Sequence, residues 1–224
     1  MKFLHHILYI GIAAGVFFPG LQPRVFNGAE KTFRFMGNDS VKEWTEINFD
    51  SLNAINKMAY ATADNFMGQQ VYPCAKCFLR PEVAEALERA NEIARDKEVR
   101  LVIYDCYRPY GYQQKMYEIV NNPRYVAPPG KGSNHNRGQA IDLTLADMNG
   151  ELLDMGNPFD DFSELSHYDS DSIPREAQKN RKLLRKIMTR AGFKPYDNEW
   201  WHFDYKKKRY ETSDFRWDCN ENDK

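Results

Sequence analysis

Residues 133–145 read Ser-Asn-His-Asn-Arg-Gly-Gln-Ala-Ile-Asp-Leu-Thr-Leu, and two folds compete for them. His135 and Asp142 stand seven residues apart, close to two helical turns, so one helix face could carry both. Gly138 within the run counts against a helix, as does the loop before it, Pro128-Pro129-Gly130-Lys131-Gly132. From Gln139 to Leu145, Ala140, Asp142 and Thr144 alternate with Ile141, Leu143 and Leu145, the period of a strand. The stretch therefore reads as a loop or strand edge bearing His135, a bend at Gly138, and a strand bearing Asp142.

Working outward, Asp147-Met148-Asn149-Gly150-Glu151 is a turn that predicts a return as a hairpin. Upstream, Pro81 opens a helix in which Val83, Ala84, Leu87, Ala90, Ile93 and Ala94 fall at helical spacing. Leu101-Val102-Ile103-Tyr104 reads as a buried strand, and Tyr112 to Val120 as a second helix closed by Asn121-Asn122-Pro123. Downstream, Ser172 reads as an N-cap with Pro174 just inside the last helix. That helix points Ala177, Leu183, Leu184, Ile187 and Met188 inward and stops near Gly192. Trp200 to Tyr205 is the final strand. Strands and helices mix without a βαβ rhythm, so the class is α+β: a single domain with a small, mainly antiparallel sheet and helices packed on it.

The 224 residues carry 31 Lys plus Arg against 32 Asp plus Glu, a formal net charge of -1. That balance argues against a nucleic-acid partner, which calls for a basic excess. A chain of this length buries roughly 70% of the surface its unfolded form exposes, so a metal is not needed for folding. Any metal it holds is then chemical in purpose. Ile7 to Phe18 is an uncharged apolar stretch after Lys2, broken by Pro19 and Gly20. Its length fits a signal-peptide core and falls short of the roughly 18–20 residues of a membrane span. Residues 1–29 are thus a leader and 30–224 the folded domain. Export, to a periplasm, is expected; if the leader is no signal, the chain is cytoplasmic. Export permits disulfides among Cys74, Cys77, Cys106 and Cys219, with three complete pairings open. Cys74-Ala75-Lys76-Cys77 has no second such pair to make a zinc ribbon and is read as structural, a disulfide or two buried thiols. Oligomeric state does not follow from the sequence.

Five histidines occur, and His5 and His6 lie in the leader. His135 with Asp142, and Glu199-Trp200-Trp201-His202, offer two imidazoles and one or two carboxylates, the set of a catalytic metal site with one position open. In a flat strand Glu199 and His202 point to opposite faces, so Glu199 must sit on the bend entering the strand. His202 would ligate while Glu199 holds the attacking water. The plainer account makes the histidines satisfied core groups and Trp200 and Trp201 core aromatics. His167 has no assigned role.

Ser-x-His-x-x-Gly-x-Ala-x-Asp at 133–142, followed by Glu-x-Trp-His at 199–202, resembles the signature of zinc D-alanyl-D-alanine peptidases. That family includes D,D-carboxypeptidases and the D-alanyl-D-alanine dipeptidases of glycopeptide resistance. The dipeptidase branch is favoured by Tyr60-Ala61-Thr62 with Asp64-Asn65-Phe66, Tyr104-Asp105 with Tyr107-Arg108-Pro109, and Met155-Gly156 with Phe159-Asp160. The ordered matches span about 46–205. The leader, the four cysteines and the tail after Tyr205 depart from the pattern. The resemblance implies one zinc ion per chain at the sheet, held by His135, Asp142 and His202. It makes Glu199 the catalytic acid/base and Arg108 the stabiliser of the transition state. Tyr60 and Asp160 match positions that hold the substrate's amino end, with Asp105 nearby; Asp161 adjoins and competes for the role. Ser133 is a candidate donor to the substrate carboxylate. The implied activity is hydrolysis of D-Ala-D-Ala to two D-alanines. The alternatives are a D,D-carboxypeptidase or endopeptidase on peptidoglycan stem peptides, and a non-catalytic module that binds wall peptides.

Overall fold

A computed structural model describes residues 43–220 apart from Arg124 and Pro129. The leader expected over residues 1–29, with His5 and His6, and Pro129 of the expected loop lie outside the described residues. Elements run β1 (Thr45–Glu46), α1 (Phe49–Leu52), β2 (Ile55–Asn56), β3 (Phe78–Leu79), α2 (Pro81–Arg95), β4 (Arg100–Asp105), α3 (Tyr110–Val120), β5 (Ala140–Ala146), α4 (Arg175–Ala191), β6 (Lys194–Tyr196) and β7 (Glu199–Asp204). Single 3-10 turns sit at Ala59–Ala61, His135–Arg137 and Glu164–Ser166. The main sheet has the order β2-β4-β5-β7-β6, antiparallel except for β2 against β4, and β1 pairs with β3 separately. The expected α+β class is the class observed.

The core follows from the periodicities. In α2, Val83, Ala84, Leu87, Ala90 and Ala94 are buried, and in α4 Ala177, Leu184, Ile187 and Met188 are, with Leu183 half-buried. The two helices contact each other and the main sheet. All seven residues of β5 are buried. Ile141, Leu143 and Leu145 join the hydrophobic core, while Asp142 faces a cavity. Alternation along β5 thus separates a packed face from a chemical one.

Several expected boundaries shift. α3 begins at Tyr110 rather than 112, and β7 runs from Glu199 to Asp204 rather than 200–205. Pro174 occupies the N-cap of α4, so Ser172 lies too early to cap it, and its hydroxyl turns to Asp171 instead. The Asp147–Glu151 turn forms, with the Asp147 carboxylate accepting from the Asn149 and Glu151 amides. A full hairpin does not follow it. A single bridge joins Ala146 to Leu152, after which Asn180 and Arg181 of α4 take the carbonyls of Asp154 and Met155. Cys74 and Cys77 do not join each other: Cys74 pairs with Cys219 and Cys77 with Cys106, leaving no free cysteine among the described residues. None of the described helices is long and apolar enough to cross a membrane.

Gly138 makes the step from the His135 turn into β5 with φ 67°. A Cβ there would lie 2.3 Å from the Trp44 ring. Gly68 shares the positive φ, at 64°, but has open space around it. Gly138→Ala should therefore cost about 2–4 kcal/mol, from backbone strain plus overpacking, whereas Gly68→Ala should cost about 1 kcal/mol from the backbone alone. Urea unfolding of the two variants checks the difference.

Candidate active site and metal centre

The β5–β7 ladder sets Asp142 directly opposite His202. Their side chains meet at 2.9 Å, His202 Nδ1 to Asp142 Oδ1. His135 arrives on the 3-10 turn before Gly138 and brings its Nε2 to 3.2 Å from Asp142 Oδ2 and 3.2 Å from His202 Nδ1. Donor atoms of these three residues all lie within 4.8 Å of one another. Ligands about 2.0–2.1 Å from a tetrahedral zinc stand about 3.3 Å apart, so the spacing suits a shared ion with little rearrangement.

The surroundings aim the lone pairs. His135 Nδ1 lies 2.7 Å from the Cys106 carbonyl, a bond that requires the proton on Nδ1 and leaves Nε2 facing the cluster. His202 Nε2 lies 3.0 Å from Asp204 Oδ1, which leaves Nδ1 for the cluster. Asp204 is held in turn by Asn134 at 2.8 Å and Lys206 at 3.0 Å. Burial works upward on the Asp142 carboxyl, but the two imidazoles outweigh it and hold the group well below the carboxylate range. Burial also opposes charge on His202, yet Asp142 and Asp204 raise its pKa well above the ordinary value. Capture of a cation at this cluster must release that proton.

These groups line a cavity of about 460 Å³ together with Tyr60, Arg108, Ser133, Asp160 and Glu199. Glu199 opens β7 just after the two-residue turn from β6, where the β6–β7 register shifts, so its carboxylate joins the His202 side at 3.9 Å. Burial raises its pKa. Arg108 is anchored by Asp105 at 2.6 Å and Gln113 at 2.8 Å, and the pull of Asp105 outweighs burial, so it stays charged. Asp105 itself is 0% exposed and is not among the cavity's lining residues. Its oxygens are taken by Arg108 and by the Tyr72 hydroxyl at 2.8 Å, with His135 Nδ1 at 3.4 Å. Tyr60 donates to Asp160 at 3.0 Å. Burial raises the Asp160 pKa well above the usual range, and its backbone holds the left-handed φ of 61°. Asp161 turns away, its carboxylate accepting from the Ser163 amide. Ser133 Oγ accepts from the His135 amide at 3.2 Å. His167 is not among the cavity's lining residues; its amide donates to the Glu164 carbonyl, and its carbonyl accepts from Arg181 and from the Ser170 amide.

Asp204, Tyr72 and Gln113 were not foreseen. Asp204 had a signal: it lies two residues past His202 on the same strand face. Tyr72 and Gln113 had none, because only folding brings them to Asp105 and Arg108. The protein should take up one equivalent of divalent metal, lost in His202→Ala and weakened about 10- to 100-fold in Asp204→Asn, the usual cost of losing a ligand's supporting carboxylate. Competition titration with a chromophoric chelator measures both.

Comparison with known proteins places the chain among relatives. A family model described as D-ala-D-ala dipeptidase matches residues 51–218. A D-alanyl-D-alanine dipeptidase of Escherichia coli is 45% identical over 148 residues, covering 66% of this chain and 77% of that protein. One from Enterococcus faecium is 36% identical over 180 residues, covering 70% and 88%. Among solved structures, VanYB in complex with D-alanine-D-alanine aligns with 18% identity and a TM-score of 0.38 over 58% of this chain and 72% of that one, too slight a likeness to add weight. The chain belongs to the D-ala-D-ala dipeptidase family of metallopeptidases.

Proposed function

We propose that this protein is a zinc peptidase that hydrolyses D-Ala-D-Ala into two D-alanines. The observation that carries the reading is the disposition of charge in one cavity: a buried carboxyl, Asp160, held by the Tyr60 hydroxyl, shares it with the His135–Asp142–His202 cluster and Glu199. A free dipeptide has an ammonium at one end, and burying it unpaired would be costly. Asp160 supplies the matching charge, and Tyr60 holds that carboxylate in place. Zinc at the cluster would supply Lewis-acid polarisation of the peptide carbonyl and acidify water. Glu199 accepts the proton of the water that adds to the peptide carbon and passes it to the departing amine. Arg108, fixed by Asp105 and Gln113, donates to the oxyanion as the carbon becomes tetrahedral. Asp105 then acts through Arg108 and does not touch the substrate. Ser133 faces the substrate's carboxylate end.

The second reading, a peptidase acting on longer peptides, draws on a depression of about 900 Å³ that shares Phe66 and Asp160 with the cavity. Product analysis on D-Ala-D-Ala and on its N-acetylated form separates the two. The dipeptidase cleaves only the free dipeptide; equal cleavage of both would establish the second reading. A compartment outside the cytoplasm belongs to the same proposal and is tested by sequencing the mature N-terminus.

Glu199→Ala should abolish turnover while retaining zinc, and Arg108→Ala should lower turnover by about 100- to 1,000-fold, the cost of one oxyanion donor. Asp160→Asn should act in two directions. A carboxyl whose pKa is raised by folding favours the native state below its unfolded pKa, and that contribution is lost as pH rises through the folded value. At neutral pH, removing the charge should raise Tm while raising KM for the free dipeptide. In the parent, KM should also rise as pH falls and Asp160 becomes neutral. Calorimetry and steady-state kinetics across pH measure these effects.

A further inference from the structure

The four cysteines take no part in the family resemblance, yet one disulfide reaches the site. β4 ends at Asp105, and the chain then leaves the sheet for Cys106, Tyr107 and Arg108. Three hydrogen bonds lace this exit to the His135 turn. The Cys106 carbonyl accepts from His135 Nδ1 at 2.7 Å, the Arg108 amide donates to the His135 carbonyl at 3.1 Å, and Asn136 donates to the Arg108 carbonyl at 2.8 Å. Cys106 is joined to Cys77, and both are 0% exposed. Cys77 is itself anchored: its carbonyl accepts from the Ile47 amide at 2.8 Å, and β3 follows at once, paired with β1. The Phe78 carbonyl accepts from the Tyr107 amide at 3.0 Å, beside the covalent link. Cys74–Cys219 differs. It ties down the tail carrying Trp217; none of the four cysteines lines the cavity, and it is Cys106 whose carbonyl meets the candidate ligand His135.

We propose that the Cys77–Cys106 disulfide is a positioning element of the catalytic centre. It holds the Cys106 carbonyl where it fixes the tautomer and direction of His135, and it holds the backbone from which Arg108 enters the cavity. Orienting partners of metal-bound histidines act through ligand geometry, so slack in such a partner lowers metal affinity. The inference rests on the reading that His135, Asp142 and His202 hold zinc.

The test compares C77A/C106A with C74A/C219A, each fully folded and well below its own Tm. Both should be less stable than the parent, since each loses a cross-link. Zinc Kd by chelator competition should rise about 10- to 100-fold in C77A/C106A, in line with losing an orienting group, and stay within about threefold in C74A/C219A. At saturating zinc, C77A/C106A should also lose kcat for D-Ala-D-Ala with KM little changed. Equal zinc affinity in the two variants would overturn the proposal. If C77A/C106A does not fold, C74A/C219A is treated with a water-soluble phosphine. With one water the phosphine cleaves the remaining S–S bond to two thiols and leaves as phosphine oxide. Zinc release while circular dichroism stays native supports the proposal; retention after thiol titration shows complete reduction overturns it. A parent protein that binds no zinc would instead defeat the underlying reading, so the two failures are distinct.

Discussion

Asp142 and His202 face one another across the β5–β7 ladder, and their side chains meet at 2.9 Å. A hydrogen-bonded sheet register admits no partial slip: a one-residue shift would turn either side chain to the opposite face. The core on the other face of β5, with Ile141, Leu143 and Leu145 buried, holds that register by hydrophobic burial. The geometry of two candidate ligands is therefore set by the packing of the fold. Only His135 comes from outside the ladder, and it is held by a turn, a left-handed glycine and the Cys106 carbonyl.

Around that pair the protein gathers charges that would be costly alone. Asp142, Asp160 and Glu199 share a cavity with Arg108 and two imidazoles. Each is paired or bonded, but the balance is uneven. The raised pKa of Asp160 marks a carboxylate that the fold tolerates rather than prefers. Such a group makes sense if a cationic partner completes it, as the ammonium of the proposed dipeptide substrate would. Its left-handed backbone is a second local cost at the same place. Arg108 is the opposite case, since Asp105, Tyr72 and Gln113 form a buried network that leaves it rigid and charged.

Much of this was legible beforehand because periodicity reports burial. The alternation in 139–145 marked β5, and helical spacing with Pro81 marked α2 within a residue. The errors came where local chemistry had competitors. Ser172 is a good capping residue, but Pro174 starts the helix too late for it to reach. The Asp147–Glu151 turn has hairpin chemistry, but side chains of α4 capture the returning backbone. Asp105 stands within the matched motif, but its partners are set by folding, which gives its oxygens to Arg108 and Tyr72.

The order of residue types along the chain determined the class of fold and the candidate site. Two histidines, two carboxylates and the glycine between His135 and Asp142 fall at spacings whose chemical meaning is local. Tertiary structure decided which cysteines join, which of Asp160 and Asp161 faces the cavity, and which groups stand behind the candidate ligands. Those facts depend on contacts between residues up to 145 apart, such as Cys74 with Cys219. No periodicity encodes them, because the burial of the whole core brings such residues together.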